Sequence, residues 1–148
     1  MIIAIEGIDA AGKNTQSELL KRRVQNLGFR TEILAFPRYG QTLFSSTIAD
    51  YLNGRFGDLQ SVDPHFSSLL YAGDRFESRS LVLNLSKSTD WLIIDRYVAS
   101  NLAYQAARIS PEERLPFIEW LSRIEGDMIA IISDGAVRWA QLSAHAGN

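Results

Sequence analysis

Residues 7–14 follow directly on the first apolar run of the chain, and they constrain its fold more than any other segment. They spell Gly-Ile-Asp-Ala-Ala-Gly-Lys-Asn, a phosphate-binding pattern of Gly, four residues, Gly and Lys, with Asn14 in place of the usual Ser or Thr. Gly7 and Gly12 permit a close backbone approach that side chains would block. The loop amides and the following helix N-terminus can then surround phosphate oxygens. The pattern therefore predicts a nucleoside triphosphate site.

The segments on either side of this loop fit the prediction. Residues 1–5 form a continuous apolar run, which is typical of a buried parallel strand. From Thr15 the spacing of apolar residues predicts a helix, and Gly28 is its expected C′ residue. The predicted apolar face of this helix consists of Leu19, Leu20, Val24 and Leu27.

Composition narrows the class of protein. A chain of 148 residues with 46% hydrophobic and 22% charged residues fits a single globular domain, predicted to span residues 1–148. The net charge of −2 gives no indication of a nucleic-acid partner. The chain has no cysteine, and two separated histidines do not suggest a zinc site. Because the first strand begins at residue 1 or 2 and no apolar run is long enough to span a membrane, we expect a cytoplasmic protein.

Short β-branched runs alternate with longer helical segments, which predicts an α/β fold with a parallel sheet. The predicted strands after the first are residues 31–36, 91–95 and 128–133. The predicted helices are residues 43–52, 64–85 and 99–108, with a further helix opening at the capping box of residues 110–113. The tail from residue 136 is compatible with a helix.

Several polar groups lie where strands end or on helices that follow, and open α/β sheets bind ligands at that edge. Arg38 follows the second strand between Phe36 and Tyr39, and it can either bind a phosphate or be an exposed arginine in a proline turn. Asp95 and Arg96 end the third strand, where P-loop proteins hold Mg²⁺ and neutralise transferring phosphate. A strand-end salt bridge is the alternative interpretation.

Two pairs share helix faces. Tyr71 and Arg75 are four residues apart, so a ring could stack on a flat heterocycle while the guanidinium bonds to its edge. By itself this pair is better explained by a half-buried tyrosine beside a surface arginine. Asn101 and Tyr104 are three apart, and alone they are uninformative.

Together, the ordered segments GIDAAGKNTQ, FPRY, LLYAGDR and DRYVASNLAYQ resemble the thymidylate kinase family, bacterial type, over roughly residues 1–134. The resemblance implies a P-loop NTPase fold, a three-layer α/β/α arrangement with a central parallel sheet. It also implies phosphorylation of dTMP to dTDP with ATP and Mg²⁺, and a homodimer.

The resemblance also implies roles for individual residues. Lys13 and the loop would hold the ATP phosphates: Gly7, Ile8, Asp9, Ala10, Ala11, Gly12, Lys13, Asn14 and Thr15. Asp9 would lie near the sugar 3′-hydroxyl, and Arg38 and Arg96 would bind the dTMP phosphate, so that Lys13, Arg38, Arg96 and Asp9 form the catalytic set. The pocket for dTMP would be lined by Asp9, Phe36, Arg38, Tyr39, Tyr71, Arg75, Arg96, Asn101 and Tyr104. Mg²⁺ would be held by Asp9, Asp95 and Asn14.

The chain departs from the family pattern in two places. Asn14 lacks the usual hydroxyl, although its amide oxygen is an acceptable Mg²⁺ ligand. Family members also continue past the fourth strand into an arginine-bearing lid, a fifth strand and a last helix. Residues 135–148 contain Arg138 alone among basic residues, and we expect no further strand there. Because Ala10 and Ala11 supply no loop arginine, the family pattern would require one from the lid. We therefore expect dTMP recognition to be retained better than turnover.

Two other functions stay open. One is a non-catalytic P-loop module that binds nucleotide without turnover, and the other is a kinase for another deoxynucleotide or deoxynucleoside. Arg38 and Arg96 argue for a phosphorylated acceptor.

Overall fold

The computed structural model describes residues 1–129 and 137–141. Its strands are β1 (Ile2–Glu6), β2 (Thr31–Ala35), β3 (Trp91–Asp95) and β4 (Val137–Gln141). Its helices are α1 (Lys13–Asn26), α2 (Leu43–Leu52), α3 (Pro64–Glu77), α4 (Arg79–Ser88), α5 (Val98–Ala106) and α6 (Arg114–Ile129). Within these residues, no helix is long and apolar enough to cross a membrane.

The strands form one parallel sheet of four strands in the order β2-β3-β1-β4. β1 pairs with β3 so that Ile2 faces Leu92 and Ile5 faces Asp95. The two apolar runs are buried, with Leu92, Ile93 and Ile94 fully inaccessible, as expected of strands covered on both faces. The register places the ends of β1 and β3 side by side, so the loop after β1 begins beside Asp95.

The chain divides into two compact units. The first contains residues 1–36, 80–97 and 132–148, and therefore the sheet with α1 and most of α4. α1 packs against β1, β2 and β3. The second unit contains residues 37–79 and 98–131, and therefore α2, α3, α5 and α6. The expectation of a single domain stays a prediction.

In the second unit, α3 packs against α2, α5 and α6. The side chain of Asp63 caps α3 by accepting a hydrogen bond from the N–H of His65, and Pro64 occupies the first turn. Gly73 allows α3 to approach α2 closely, because a Cβ at this position would lie 2.4 Å from the ring of Phe44. Two apolar clusters form the core, one around Ile48 and Leu70 and the other around Phe117 and Leu121.

Most predicted elements are confirmed to within two residues. α1 begins at Lys13, and Gly28 follows the C-cap with a φ of 88°. The predicted apolar face of α1 is confirmed at Val24, which is buried, and wrong at Leu19 and Leu27, which are exposed. The other buried positions of the helix are Lys13 and Ser17. Small Ser17 rather than leucine lies at the buried centre of the helix, which packs on three strands.

Two element predictions need correction. The single helix over residues 64–85 is two helices, interrupted at Ser78, whose hydroxyl donates to the carbonyl of Asp74 and accepts a hydrogen bond from Nη1 of Arg38. The predicted strand over residues 128–133 is also wrong at its start, because Met128 and Ile129 end α6. Residues 130–133 lie outside the described part of the chain.

The fourth strand occurs later than predicted. Residues 137–141, Val-Arg-Trp-Ala-Gln, form β4 on the free side of β1, with Ile2 opposite Val137 and Glu6 opposite Gln141. The expectation of a helix from residue 136, with no strand beyond 134, is therefore wrong. Five parallel pairings with β1 outweigh the weak helical pattern of this short segment.

Candidate active site

The loop between β1 and α1 has a backbone suited to binding an anion. Gly12 is left-handed, with a φ of 79°, and α1 starts at the next residue. A Cβ at Gly12 would have no described atom within 4 Å, so the space beside it is open. Ala10 also has a positive φ, of 61°, which is unusual for a residue with a side chain. Successive loop amides in such a conformation form a concave anion site at the positive end of α1.

Lys13 is directed back into this loop. Its side chain is buried, and its Nζ donates a hydrogen bond to the carbonyl of Ile8 at 2.6 Å. Burial lowers the pKa of Lys13, and the charge of Arg96 lowers it further, whereas Asp95 and Asp9 oppose these effects. An ammonium held beside the loop is placed to bind phosphate oxygens.

The end of β3 supplies the acidic and basic groups of the site. Asp95 is half-buried, and burial raises the pKa of its carboxyl although Lys13 and Arg96 act in the opposite direction. Its Oδ1 has no hydrogen-bond partner within residues 1–129 and 137–141. Arg96 has a left-handed φ of 63° and forms an ion pair with Asp9, whose side chain is 80% exposed. The backbone N–H of Tyr97 is held by the buried carboxylate of Glu6.

These residues fit an ATP–Mg²⁺ complex by their chemistry. Mg²⁺ prefers oxygen ligands and is commonly held by one or two carboxylates, with phosphate and water completing its shell. The unpartnered Oδ1 of Asp95 is a buried acceptor of this kind. Asp9 and Asn14 are exposed in the same unit. Phe36 is the remaining predicted site residue in the first unit, and its ring lies 5.8 Å from that of Tyr97.

The second unit contains the remaining predicted residues. Arg38 is anchored there twice: its backbone N–H donates to Asp74 Oδ2 at 2.9 Å, and its Nη1 donates to Ser78 Oγ at 3.1 Å. Asp74 is itself 1% exposed and accepts a hydrogen bond from Thr42. The guanidinium of Arg38 is therefore oriented by neighbours on α3 and at the break after it.

Arg75 and Asn101 meet at a third residue, Glu125 of α6. Arg75 donates through Nε to Glu125 Oε2 at 3.1 Å and forms a second bond through Nη2 to Oε1. Asn101 Nδ2 donates to Glu125 Oε1 at 2.8 Å and to the carbonyl of Ser68 at 3.0 Å. All three side chains are buried, and Asn101 Oδ1 has no hydrogen-bond partner among the described residues. The interpretation of Arg75 as a surface arginine is therefore wrong.

The three predicted tyrosines are more accessible. Tyr39 is 52% exposed and Tyr104 is 41% exposed, while Tyr71 is half-buried on α3. The structure thus gathers the phosphate-loop residues, Phe36, Asp95 and Arg96 in one unit. It gathers Arg38, Tyr39, Tyr71, Arg75, Asn101 and Tyr104 in the other.

Sequence reasoning missed the acidic partners of the second unit. Asp74 lies within the LLYAGDR segment, yet only its neighbours Tyr71 and Arg75 were considered. Glu125 had a detectable signal, because Phe117, Leu121 and Glu125 recur every four residues on α6 and the first two are core residues. A carboxylate in an apolar stripe requires a buried cationic or hydrogen-bonding partner.

A phosphate loop between the first strand and first helix of a parallel sheet, with an acidic residue ending the adjacent strand, defines a P-loop nucleotide-binding protein. Comparisons with known proteins narrow this class. The sequence profile described as Thymidylate kinase matches residues 5–116. The thymidylate kinase of Mycobacterium tuberculosis (strain CDC 1551 / Oshkosh) is 42% identical over 125 residues, covering 84% of this chain. This chain therefore belongs to the thymidylate kinase family.

More distant relatives agree. The thymidylate kinases of Arabidopsis thaliana and Homo sapiens are 35% and 32% identical, each over 107 residues and 72% of this chain. The alignments cover 58% of the mycobacterial protein, 39% of the plant protein and 48% of the human one, so the chain spans only part of their length. A thymidylate kinase structure from Candida albicans superposes with a TM-score of 0.67 at 20% identity, covering 96% of this chain and 83% of that one. This likeness shows the shared fold.

Proposed function

We propose that this chain binds ATP at the loop of residues 7–15 and transfers its γ-phosphoryl group to dTMP, giving dTDP. Family membership supports the reaction, and the fixed amide of Asn101 is the observation that most directly supports the acceptor. Both N–H groups of that amide donate to protein acceptors, and its buried Oδ1 has no partner among the described residues, so Oδ1 is the atom that we propose accepts from the ligand.

The orientation of Asn101 favours one kind of pyrimidine. Thymine and uracil carry a proton on N3 and can donate to a carbonyl oxygen, whereas N3 of cytosine is itself an acceptor. Arg75, whose guanidinium can only donate, suits the adjacent base carbonyl and does not suit the amino group of cytosine. A buried acceptor left unpaired by the wrong base gives strong discrimination. We therefore infer a preference for dTMP over dCMP.

Phosphoryl transfer depends mainly on positioning and on neutralising charge. In this proposal Lys13 binds the outer ATP phosphates, while Arg38 and Arg96 bind the phosphate of dTMP. Asp9, now paired with Arg96, would accept a hydrogen bond from the sugar 3′-hydroxyl. Asp95, Asp9 and Asn14 would hold Mg²⁺, which supplies charge neutralisation on the phosphate oxygens when bound.

Half-buried Tyr71 and exposed Tyr39 and Tyr104 complete the acceptor site in this proposal. Tyr71, on the same helix as Arg75, stacks on the thymine ring, and Tyr39 and Phe36 line the pocket. Tyr104 lies one turn after Asn101 on α5 and excludes a ribose 2′-hydroxyl. A soluble nucleotide substrate fits a cytoplasmic site of action.

A coupled assay of ATP consumption tests the proposed reaction with dTMP, dUMP, dCMP, ribothymidine monophosphate and thymidine as acceptors. We expect dTMP to be the best acceptor, followed by dUMP. ATP binding without phosphorylation of any acceptor would favour a non-catalytic nucleotide-binding module. A preference for thymidine over dTMP would contradict the roles given to Arg38 and Arg96.

We also propose a homodimer formed through α2 and α3. The family resemblance supports this assembly, and these helices expose large apolar side chains that a second subunit would cover. The exposed residues are Leu43 (73%), Leu52 (44%), Phe66 (45%), Leu69 (37%) and Phe76 (47%). Light scattering after size-exclusion chromatography should give twice the chain mass of 16.6 kDa, and a monomeric mass at micromolar concentration would exclude this assembly.

A further inference from the structure

We infer that Glu125 is a positioning residue for base recognition: it fixes the amide of Asn101 and the guanidinium of Arg75 so that the site accepts a pyrimidine with a protonated N3. The inference rests on the proposed function, since it concerns how the same acceptor is selected.

Glu125 is built into the second unit as a buried bridge. It is 3% exposed, and one carboxylate oxygen, Oε1, accepts from both Arg75 Nη2 and Asn101 Nδ2. The other oxygen accepts from Arg75 Nε at 3.1 Å. The three side chains come from three helices, α3, α5 and α6. The bridge therefore fixes the positions of Arg75 and Asn101 relative to each other, although they are far apart in the sequence.

The bridge determines which way the Asn101 amide faces. An asparagine amide has a donor side and an acceptor side of nearly the same shape, so its orientation depends on its partners. Here both partners, Glu125 Oε1 and the carbonyl of Ser68, can only accept. The nitrogen must face them, which leaves Oδ1 for the ligand. The carboxylate makes the stronger of these two bonds because it is charged.

Glutamine at position 125 would weaken this bias while keeping the shape of the side chain, because only the Ser68 carbonyl would still be restricted to accepting from Asn101. Its single oxygen cannot accept from both Arg75 nitrogens and from Asn101. Its amino group must then oppose a donor, either Arg75 Nε–H or the Asn101 amide. If the glutamine amino group faces Asn101, the Asn101 amide pairs with it better when reversed, with Oδ1 toward the glutamine. The ligand would then meet the Nδ2 donor instead of the Oδ1 acceptor.

Calorimetric titration of the 148-residue chain with dTMP and with dCMP tests this, comparing wild type, E125Q and E119Q. Glu119 is an exposed residue of the same helix and serves as the matched control. We expect the dTMP-to-dCMP affinity ratio to fall by about tenfold or more in E125Q, the scale of a charged hydrogen bond. ATP affinity should be unchanged in E125Q, and E119Q should keep the wild-type ratio. A folded E125Q with the wild-type ratio would overturn the inference.

A second measurement covers the case in which E125Q does not fold. In wild-type protein, the side-chain amide protons of Asn101 should exchange slowly with solvent by NMR, because both donate within a buried bridge. Exchange as fast as that of an exposed asparagine would overturn the positioning role. If wild-type protein binds no dTMP, the proposed function fails, while slow exchange would still support the bridge.

Discussion

Several residues of the phosphate site are held in unfavourable states. Ala10 and Arg96 have positive φ angles of 61° and 63°, and left-handed backbone in residues with side chains costs on the order of 1–3 kcal/mol each. Asp95 is half-buried, and its buried Oδ1 has no partner among the described residues. These features are concentrated at the ends of β1 and β3, where a bound cation would give Asp95 Oδ1 a partner.

Replacing Asp95 by Asn should stabilise the protein near neutral pH. Burial raises the pKa of Asp95 above its ordinary value of 3.8, so the folded state resists ionisation more than the unfolded chain does. This penalty is absent below the unfolded pKa, grows as pH rises through the folded pKa, and is fully present above it. Thermal unfolding should therefore show D95N gaining stability at about pH 7 and little at about pH 3.

Asp90 provides a control, because the pKa of its carboxyl is shifted in the opposite direction from that of Asp95. Its hydrogen bonds from Arg30 lower the pKa of its carboxyl, so its contribution is present above the unfolded pKa and is lost as pH falls through the folded pKa. D90N should lose stability near neutral pH. If D95N instead unfolds earlier than wild type near pH 7, the assigned burial penalty is wrong.

Asn14→Thr tests the irregular position of the phosphate loop. Asn14 is exposed in the described structure, and its amide oxygen is an acceptable ligand for Mg²⁺. We expect restoring the usual hydroxyl to change the phosphorylation rate modestly, by less than about 100-fold, a threshold equivalent to roughly 3 kcal/mol. A larger change in either direction would show that the metal depends on this position.

At the scale of elements, a close helix approach can be tested at Gly73. A Cβ there would lie 2.4 Å from the Phe44 ring, so Gly73→Ala should force α2 and α3 apart and destabilise the protein by about 1–3 kcal/mol. Gly126→Ala on α6 is the matched control, since no described atom lies within 4 Å of its added Cβ. It should be neutral or stabilising by up to about 1 kcal/mol. Chemical denaturation measures both, and equal effects would contradict the packing argument.

Most helices and strands could be predicted because the sequence signals that define them lie within the elements themselves or next to their ends. The apolar runs of β1 and β3, and the caps at Asp63 and Gly28, act within a few residues. The errors occur where distant partners decide. Ser78, where the long predicted helix is interrupted, accepts a hydrogen bond from Arg38, 40 residues away, and β4 pairs with the edge of β1. Neither partner can be identified from periodicity.

The site residues likewise divide into those placed by local sequence signals and those placed by distant partners. The phosphate loop, Asp95 and Arg96 lie beside strand ends, so parallel pairing brings them together as the sequence suggested. Arg75 and Asn101 are joined by Glu125, 50 and 24 residues away, and no spacing rule connects three such positions. Buried polar networks of this kind depend on helix packing that only the folded structure reveals.

At the scale of the whole molecule, the phosphate loop and the proposed base-recognition residues Arg75 and Asn101 fall in different compact units, so ATP binding and recognition of the base should respond separately to substitution. Lys13→Ala should abolish measurable ATP binding because it removes the buried cation of the loop. It should leave dTMP affinity within about threefold, less than roughly 1 kcal/mol. Asn101→Ala should abolish measurable dTMP binding and leave ATP affinity within about threefold. Isothermal titration measures both, and loss of both ligands from either folded variant would contradict separate binding.

We propose above that the second unit recognises a pyrimidine with a protonated N3 through Asn101 and Arg75. The most direct measurement is the affinity of the wild-type chain for dTMP relative to dCMP, by calorimetry in one buffer. We predict that dTMP binds at least about tenfold more tightly, a difference of roughly 1.4 kcal/mol. Equal affinities, or tighter binding of dCMP, would contradict the account.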